Sequence, residues 1–258
     1  MYAETFKLDD YCRRINYVGA LKPELATVQA LMHQHLKTIP FENLNVLAGK
    51  VISLQPDAIV EKLIHQQRGG YCYEMNGLFT MALTALGIDY QWVAARPLFY
   101  PTKRPRTHAA LIVNFDDVEW LLDLGFGSYG IREPMRLDLL DHPIQQGFDQ
   151  FMLTQEADGD IAVQALVDGT WVKQYGFNRS PVEWVDFAPA NWMNSTHPEA
   201  IFTQKLVIVL FTKEGRKILS GNMFKEYKTG QLTQIALQDE QLATVLKQDF
   251  NLIKPLHA

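Results

Sequence analysis

Arg68-Gly69-Gly70-Tyr71-Cys72-Tyr73-Glu74-Met75-Asn76-Gly77 joins a pair of glycines to the start of an apolar run. From Cys72 onward Met75, Leu78, Phe79, Ala82, Leu83 and Leu86 recur at helical spacing, and Gly87 follows where a left-handed C-cap is needed. The stretch reads as a turn feeding a helix whose first turn holds a cysteine. There, unpaired backbone N–H groups and the helix dipole favour an anion, which promotes ionisation of a thiol. A lone cysteine is more commonly a small buried hydrophobe. A working thiolate also needs a base, and the base needs an acceptor that orients it. The choice between these two readings lies in the rest of the chain.

Working outward, Leu25, Val28, Leu31, Met32 and Leu36 predict an amphipathic helix that begins near Pro23 and ends at Ile39-Pro40. A second helix is predicted over 57–67, with Ile59, Val60, Leu63 and Ile64 as its stripe and Gly69-Gly70 as its stop. Residues 1–87 thus read as a small helical domain. After Gly87 the period changes to β-branched and aromatic runs at 90–95, 108–115, 118–124, 148–155, 161–168 and 171–177. Asp116-Asp117, Asp158-Gly159 and Asp168-Gly169 are the expected hairpin turns, so 88–179 reads as antiparallel sheet or barrel. Ser180-Pro181-Val182-Glu183 has the form of a capping box, opening a helix and then a linker or lid over 180–258. Further strands are expected at 206–212, 216–219, 223–227 and 232–237, with a closing helix over 239–250.

Composition narrows the function. The chain has 258 residues, 47% hydrophobic and 21% charged, which fits a folded soluble protein and disfavours disorder or coiled coil. Lys plus Arg total 24 against 29 Asp plus Glu, and no helix-sized stretch gathers positive charge, so a nucleic-acid partner is not expected. The N-terminus lacks a signal-peptide pattern, and the most apolar run, 206–211, is too short to span a bilayer, so a cytoplasmic protein with no membrane partner is expected. Two cysteines, Cys12 and Cys72, are too few for a disulfide framework or a thiolate zinc site. Any cysteine chemistry then uses a free thiol.

A base and its acceptor are available. If the hairpin at Asp116-Asp117 has an even loop, paired residues sum to 233, Asp123 lies opposite Ala110, and His108 is its diagonal neighbour on the same face. Asp123 also stands inside the apolar run Trp120-Leu121-Leu122-Asp123-Leu124-Gly125-Phe126-Gly127, and a buried carboxylate needs a partner. A satisfied sheet histidine remains the alternative for His108. His33 and His35 do not face one another on a helix, and His65, His142, His197 and His257 lack ligands at metal spacing, so no metal is expected. No phosphate-binding loop, dinucleotide fingerprint or serine elbow is present.

The stretch from Arg68 to Gly77 resembles the Arg-Gly-Gly-x-Cys-x-Glu-x-Asn signature of the arylamine N-acetyltransferases. Ile39-Pro40-Phe41-Glu42-Asn43-Leu44, Thr107-His108, Asp123-Leu124-Gly125-Phe126-Gly127 and Ser195-Thr196-His197-Pro198 with Phe202 match further motifs of that family, in its order. The resemblance implies an α+β fold of three parts: an N-terminal helical bundle, a central antiparallel β-barrel and a C-terminal α/β lid. It places a cysteine-protease-like triad where the first two meet, with Cys72 as nucleophile, His108 as base and Asp123 as its orienting group. The chain departs from longer family members in its short C-terminus and in lacking a large insertion before the lid.

The implied reaction is ping-pong acetyl transfer from acetyl-CoA, a substrate and not a tightly bound cofactor, to arylamines, arylhydrazines or N-hydroxyarylamines. The same triad could instead close a polyketide through an amide bond or serve a hydrolase or transglutaminase-like enzyme. A binding protein with Cys72 in its core is the non-enzymatic alternative. Phe41, Phe126 and Phe202 are expected to line the aromatic site, and Arg68 and Glu42 to pair and brace the nucleophile turn. Lys103-Arg104-Pro105-Arg106 is the densest basic cluster of an acidic chain. Lys103, Arg104 and Arg106 are expected to meet the CoA phosphates, with Gly125 and Gly127 letting backbone approach the pantetheine arm. Oligomeric state is not legible.

Overall fold

The computed structural model describes residues 1–252. Its first third is helical: α1 (Leu8–Arg14), α2 (Leu25–Thr38), the two-residue strand β1 (Phe41–Glu42), α3 (Leu44–Leu47), α4 (Pro56–Val60) and α5 (Cys72–Ala85). On α2 the buried residues Val28, Leu31, Met32, His35 and Leu36 fall at helical spacing. The helix expected over 57–67 is instead α4 followed by a π-helical turn, Glu61–His65. Its chain reversal comes from Gln67, which takes φ 53°, and not from the two glycines. Gly69 and Gly70 serve close approach. A Cβ on Gly69 would overlap the Pro40 carbonyl, and one on Gly70 would crowd the Glu74 side chain. Gly87, at φ 70°, occupies the left-handed position after α5 as its spacing predicts.

Eight antiparallel strands follow: β2 (Tyr90–Pro97), β3 (His108–Phe115), β4 (Val118–Leu122), β5 (Met135–Arg136), β6 (Ile144–Gln146), β7 (Asp149–Gln155), β8 (Ile161–Val167) and β9 (Thr170–Phe177). Their order is β5-β4-β3-β2-β9-β8-β7-β6, a curled sheet whose end strands are not paired with each other. Asp116 and Asp117 both lie at positive φ, 53° and 61°, forming a two-residue turn whose twist matches the hairpin. The register sets Leu111 opposite Leu122 and Ile112 opposite Leu121, the even-loop pairing that brings Asp123 beside β3.

The remaining chain forms a 3₁₀ turn (Trp184–Phe187), α6 (Ala188–Thr196), α7 (Ile201–Gln204), β10 (Val207–Thr212), β11 (Gly215–Ser220), β12 (Met223–Lys228), β13 (Gln231–Ala236) and α8 (Asp239–Phe250). The capping box is not at Ser180: Glu183 is the N-cap, and its N–H donates to Asp186 at 2.8 Å. The second sheet runs β1-β10-β11-β12-β13, with Ile208, Leu210, Leu219, Leu246 and Phe250 making a core under α8.

Two features hold these parts in place. Phe41 pairs with Val209 and bridges to Gly70, so β1 stitches the nucleophile turn to the second sheet. Between the sheets Asp149 of β7 accepts both from Arg132 and from Arg216 of β11, the latter at 2.6 and 2.7 Å. The Arg216 guanidinium lies over Tyr227 at 4.2 Å and Tyr129 at 4.8 Å. Among the described residues no helix is long and apolar enough to cross a membrane.

Candidate active site

Cys72 is the first residue of α5 and is buried, with Tyr71 as N-cap. Glu74 turns back to accept the Tyr71 N–H at 3.1 Å and receives Lys62 Nζ at 2.6 Å, so the turn before the thiol is fixed from within. Burial pushes the Glu74 carboxyl above its ordinary value, with Lys62 opposing that shift. Arg68 donates to Glu42 through Nε at 3.0 Å and Nη2 at 2.7 Å, and the second oxygen of Glu42 accepts the Leu44 N–H at 2.7 Å. Both side chains are nearly shielded from water, so this is a buried pair beside the glycine turn.

His108 opens β3, and its Nε2 donates to Asp123 Oδ2 at 2.7 Å. The other oxygen of Asp123 accepts Asn76 Nδ2 at 3.1 Å and the Gly125 N–H at 2.8 Å. Asn76, one turn along α5 from Cys72, also donates to the Ala109 carbonyl at 2.8 Å and accepts the Leu124 N–H at 2.8 Å. One amide thus locks the nucleophile helix to β3, which carries His108, and to the segment just after β4, which carries Asp123. Burial disfavours a charged imidazole here, but Asp123 outweighs it, with a smaller contribution from the Cys72 thiol, and His108 is pushed up to about 10. By contrast His35, equally buried and without a carboxylate, is pushed down by that burial to about 3.

Gly125 packs so closely on Cys72 that a Cβ there would overlap the cysteine backbone. Phe126 and Tyr175 flank the imidazole, with ring centroids 5.0 and 4.9 Å away. Cys72, His108, Phe41, Phe126, Phe202, Gly125 and Gly127 all line one cavity of about 390 Å³, in which Phe41 and Phe202 meet at 5.9 Å. Its walls are mostly apolar.

The basic cluster divides. Arg104 lines this cavity. Lys103 borders a separate depression with Glu156, Asp158 and Asp160, while Arg106 is clamped on both oxygens of Asp160 at 2.7 and 2.9 Å. The acidic turn between β7 and β8 thus holds Arg106, and Lys103 lies on its side and not in the cavity of Cys72. His257 lies outside the described residues. Reading the sequence residue by residue missed Asn76, although it stands in the decisive stretch, because an amide's role shows only once its three backbone and side-chain partners are known. Tyr175 and Arg14 were missed as well. Arg14 donates to the carbonyls of Thr38, Leu63, Gln67 and Arg68, bracing the segment that leads to Cys72.

Comparison with known proteins is consistent throughout. A family model described as N-acetyltransferase matches residues 24–254. The chain is 36% identical over 240 residues to an arylamine N-acetyltransferase of Mycobacterium tuberculosis, covering 90% of this chain and 84% of that one. It is 33% identical over 234 residues to an arylamine N-acetyltransferase / N-hydroxyarylamine O-acetyltransferase of Salmonella typhimurium, covering 88% and 83%. The solved structure of Mycobacterium marinum arylamine N-acetyltransferase in complex with CoA matches with a TM-score of 0.90 at 31% identity, over 95% of this chain and 92% of that one.

Proposed function

Because this chain belongs to the arylamine N-acetyltransferase family, we propose that it moves an acetyl group from acetyl-CoA to an arylamine, arylhydrazine or N-hydroxyarylamine through an acetyl-Cys72 intermediate. The observation that carries this reading is the 2.7 Å contact of His108 with buried Asp123, behind the cavity that His108 lines together with Cys72 at the N-terminus of α5. We divide the chain at 87 and 179 into a helical part with the nucleophile, a sheet with base and acid, and a lid.

With His108 as imidazolium, Cys72 is held as thiolate by an adjacent positive charge and by the first-turn N–H groups of α5. The thiolate attacks the thioester carbonyl, and the sulfur of CoA leaves with the proton of His108. A thioester is exchanged for a thioester, so little free energy changes and the acyl-enzyme stays reactive. The amine nitrogen then attacks the acetyl-Cys72 carbonyl, His108 takes the proton it sheds, and the Cys72 thiolate departs. Asp123 keeps the imidazole oriented in both steps and stabilises it each time it carries the proton. Phe41, Phe126 and Phe202 form the wall for the aromatic ring, and Arg104, the member of the basic cluster that lines the cavity, takes the CoA phosphate side.

The test separates the half-reactions. Enzyme acetylated with acetyl-CoA, freed of CoA and then mixed with an arylamine should yield the N-acetyl product faster than it yields acetate. Acetate alone would assign a hydrolase.

A further inference from the structure

Around the cavity, two segments face each other: the loop from β2 to β3, which supplies Phe99, Tyr100 and Arg104, and the stretch before and within α7, which supplies Glu199 and Phe202. Arg104 Nη1 and Glu199 Oε2 span them at 3.4 Å. Glu199 is largely in solvent, so this contact lies at the outer edge of the cavity. An Arg–carboxylate pair at its best is bidentate and close to 2.8 Å, roughly, and this one is neither. The Arg104 guanidinium is nevertheless well placed: it lies 4.9 Å from the centre of the Tyr100 ring, and its backbone carbonyl is held by Arg96. Its Nε is buried and has no partner among the described residues. A planar fork has thus been oriented on an aromatic face at the edge of an apolar cavity, with most of its donors unspent.

We propose that Arg104 and Glu199 form a charge-selecting gate, in which Glu199 occupies Arg104 only until anionic oxygens of a ligand displace it. The proposal rests on the reading of this cavity as the acetyl-transfer site. The shared chemistry is a planar or tetrahedral oxyanion, supplied by the diphosphate of the acyl donor or by a carboxylate on the acceptor ring. Displacing Glu199 costs little, because an exposed single-contact pair contributes weakly. Because the glutamate competes with the incoming anion for the Arg104 guanidinium, it sets a ceiling on affinity that its amide would lift. Glu199 is therefore a specificity-determining residue that favours neutral acceptors, and Arg104 is its opposite.

The two half-reactions distinguish the sources of the oxyanion. Acetylation by acetyl-CoA is measured alone, and the second half-reaction is run with 4-aminobenzoate and with its neutral methyl ester. Glu199→Gln should raise the ratio of kcat/KM for 4-aminobenzoate over the ester, or lower the KM for acetyl-CoA, by about two- to fivefold at low ionic strength. A change confined to acetyl-CoA assigns the gate to the donor's phosphates, and one confined to 4-aminobenzoate assigns it to the acceptor's carboxylate. Arg104→Met should shift the same quantity the other way, and in that background Glu199→Gln should have less than about a 1.5-fold effect. If Glu199→Gln leaves both the ratio and the acetyl-CoA KM unchanged in a wild-type background that acetylates normally, the gate is refuted. If the wild-type chain takes no acetyl group at all, the reading of the site fails instead.

Discussion

Asp123→Asn exchanges one oxygen for nitrogen at a carboxylate surrounded by donors. In the native chain Oδ2 accepts from His108, while Oδ1 accepts from Asn76 and the Gly125 N–H. Either orientation of the new amide sets an NH₂ against at least one of these donors, so the site is mismatched as well as neutralised. The charge matters more. His108 stands at about 10 against an ordinary 6.5, and returning it to 6.5 removes on the order of 5 kcal/mol of preference for the imidazolium. His35 shows what burial without a carboxylate does, since it falls to about 3. A folded-state value above the unfolded one stabilises the fold fully below the unfolded value and loses that effect as pH rises through the folded one. The stability gap between wild type and variant should therefore be widest below 6.5 and close as pH approaches 10. Turnover should fall by about two to four orders of magnitude, as for other triad orienters. The direct assay is the rate of Cys72 alkylation by iodoacetamide between about pH 5 and 8, with Cys12 resolved by peptide mass spectrometry. Wild-type alkylation rates across that range in Asp123→Asn would refute the linkage.

Other perturbations probe the supports. A double-mutant cycle on Arg68 and Glu42 should give a coupling of about 1.5 to 3 kcal/mol in urea unfolding, and a value below about 0.5 would reduce them to unrelated charges. Phe126→Leu and Phe41→Leu should raise the arylamine KM more than they slow acetylation by acetyl-CoA; equal effects on the two half-reactions would contradict an aromatic wall. Asp149→Asn leaves Arg132 and Arg216 sharing a neutral amide in a buried site, and should cost about 3 to 5 kcal/mol in urea unfolding. An unchanged midpoint would show that the contact does not hold the two sheets together.

Much of the site was legible because its parts obey local rules. The start of α5 at Cys72 follows from apolar spacing, and the even register of β3 and β4 follows from Asp116-Asp117, two residues that tolerate the left-handed region. That register alone brings His108 beside Asp123. Elements whose cause is non-local were not legible. β1 is two residues long and exists because β10 pairs with it. The π-helical turn at Glu61–His65 and the positive φ of Gln67 carry no signal in those residue types. Arg132, Asp149 and Arg216 are far apart in the chain and meet only after both sheets form. Lys103 and Arg106 looked like a phosphate cluster because sequence counts charges without showing that the turn carrying Asp160 is folded against them.

The central claim is that one thiol at the head of one helix carries the acetyl group between two substrates. It is tested most directly by incubating the protein with acetyl-CoA alone, quenching in acid, and locating the label by peptide-resolved mass spectrometry in wild type, Cys72→Ala and Cys12→Ala. About one acetyl group per chain is expected on Cys72 in wild type and in Cys12→Ala, and none in Cys72→Ala. Acetylation on any other residue with turnover intact in Cys72→Ala would contradict it.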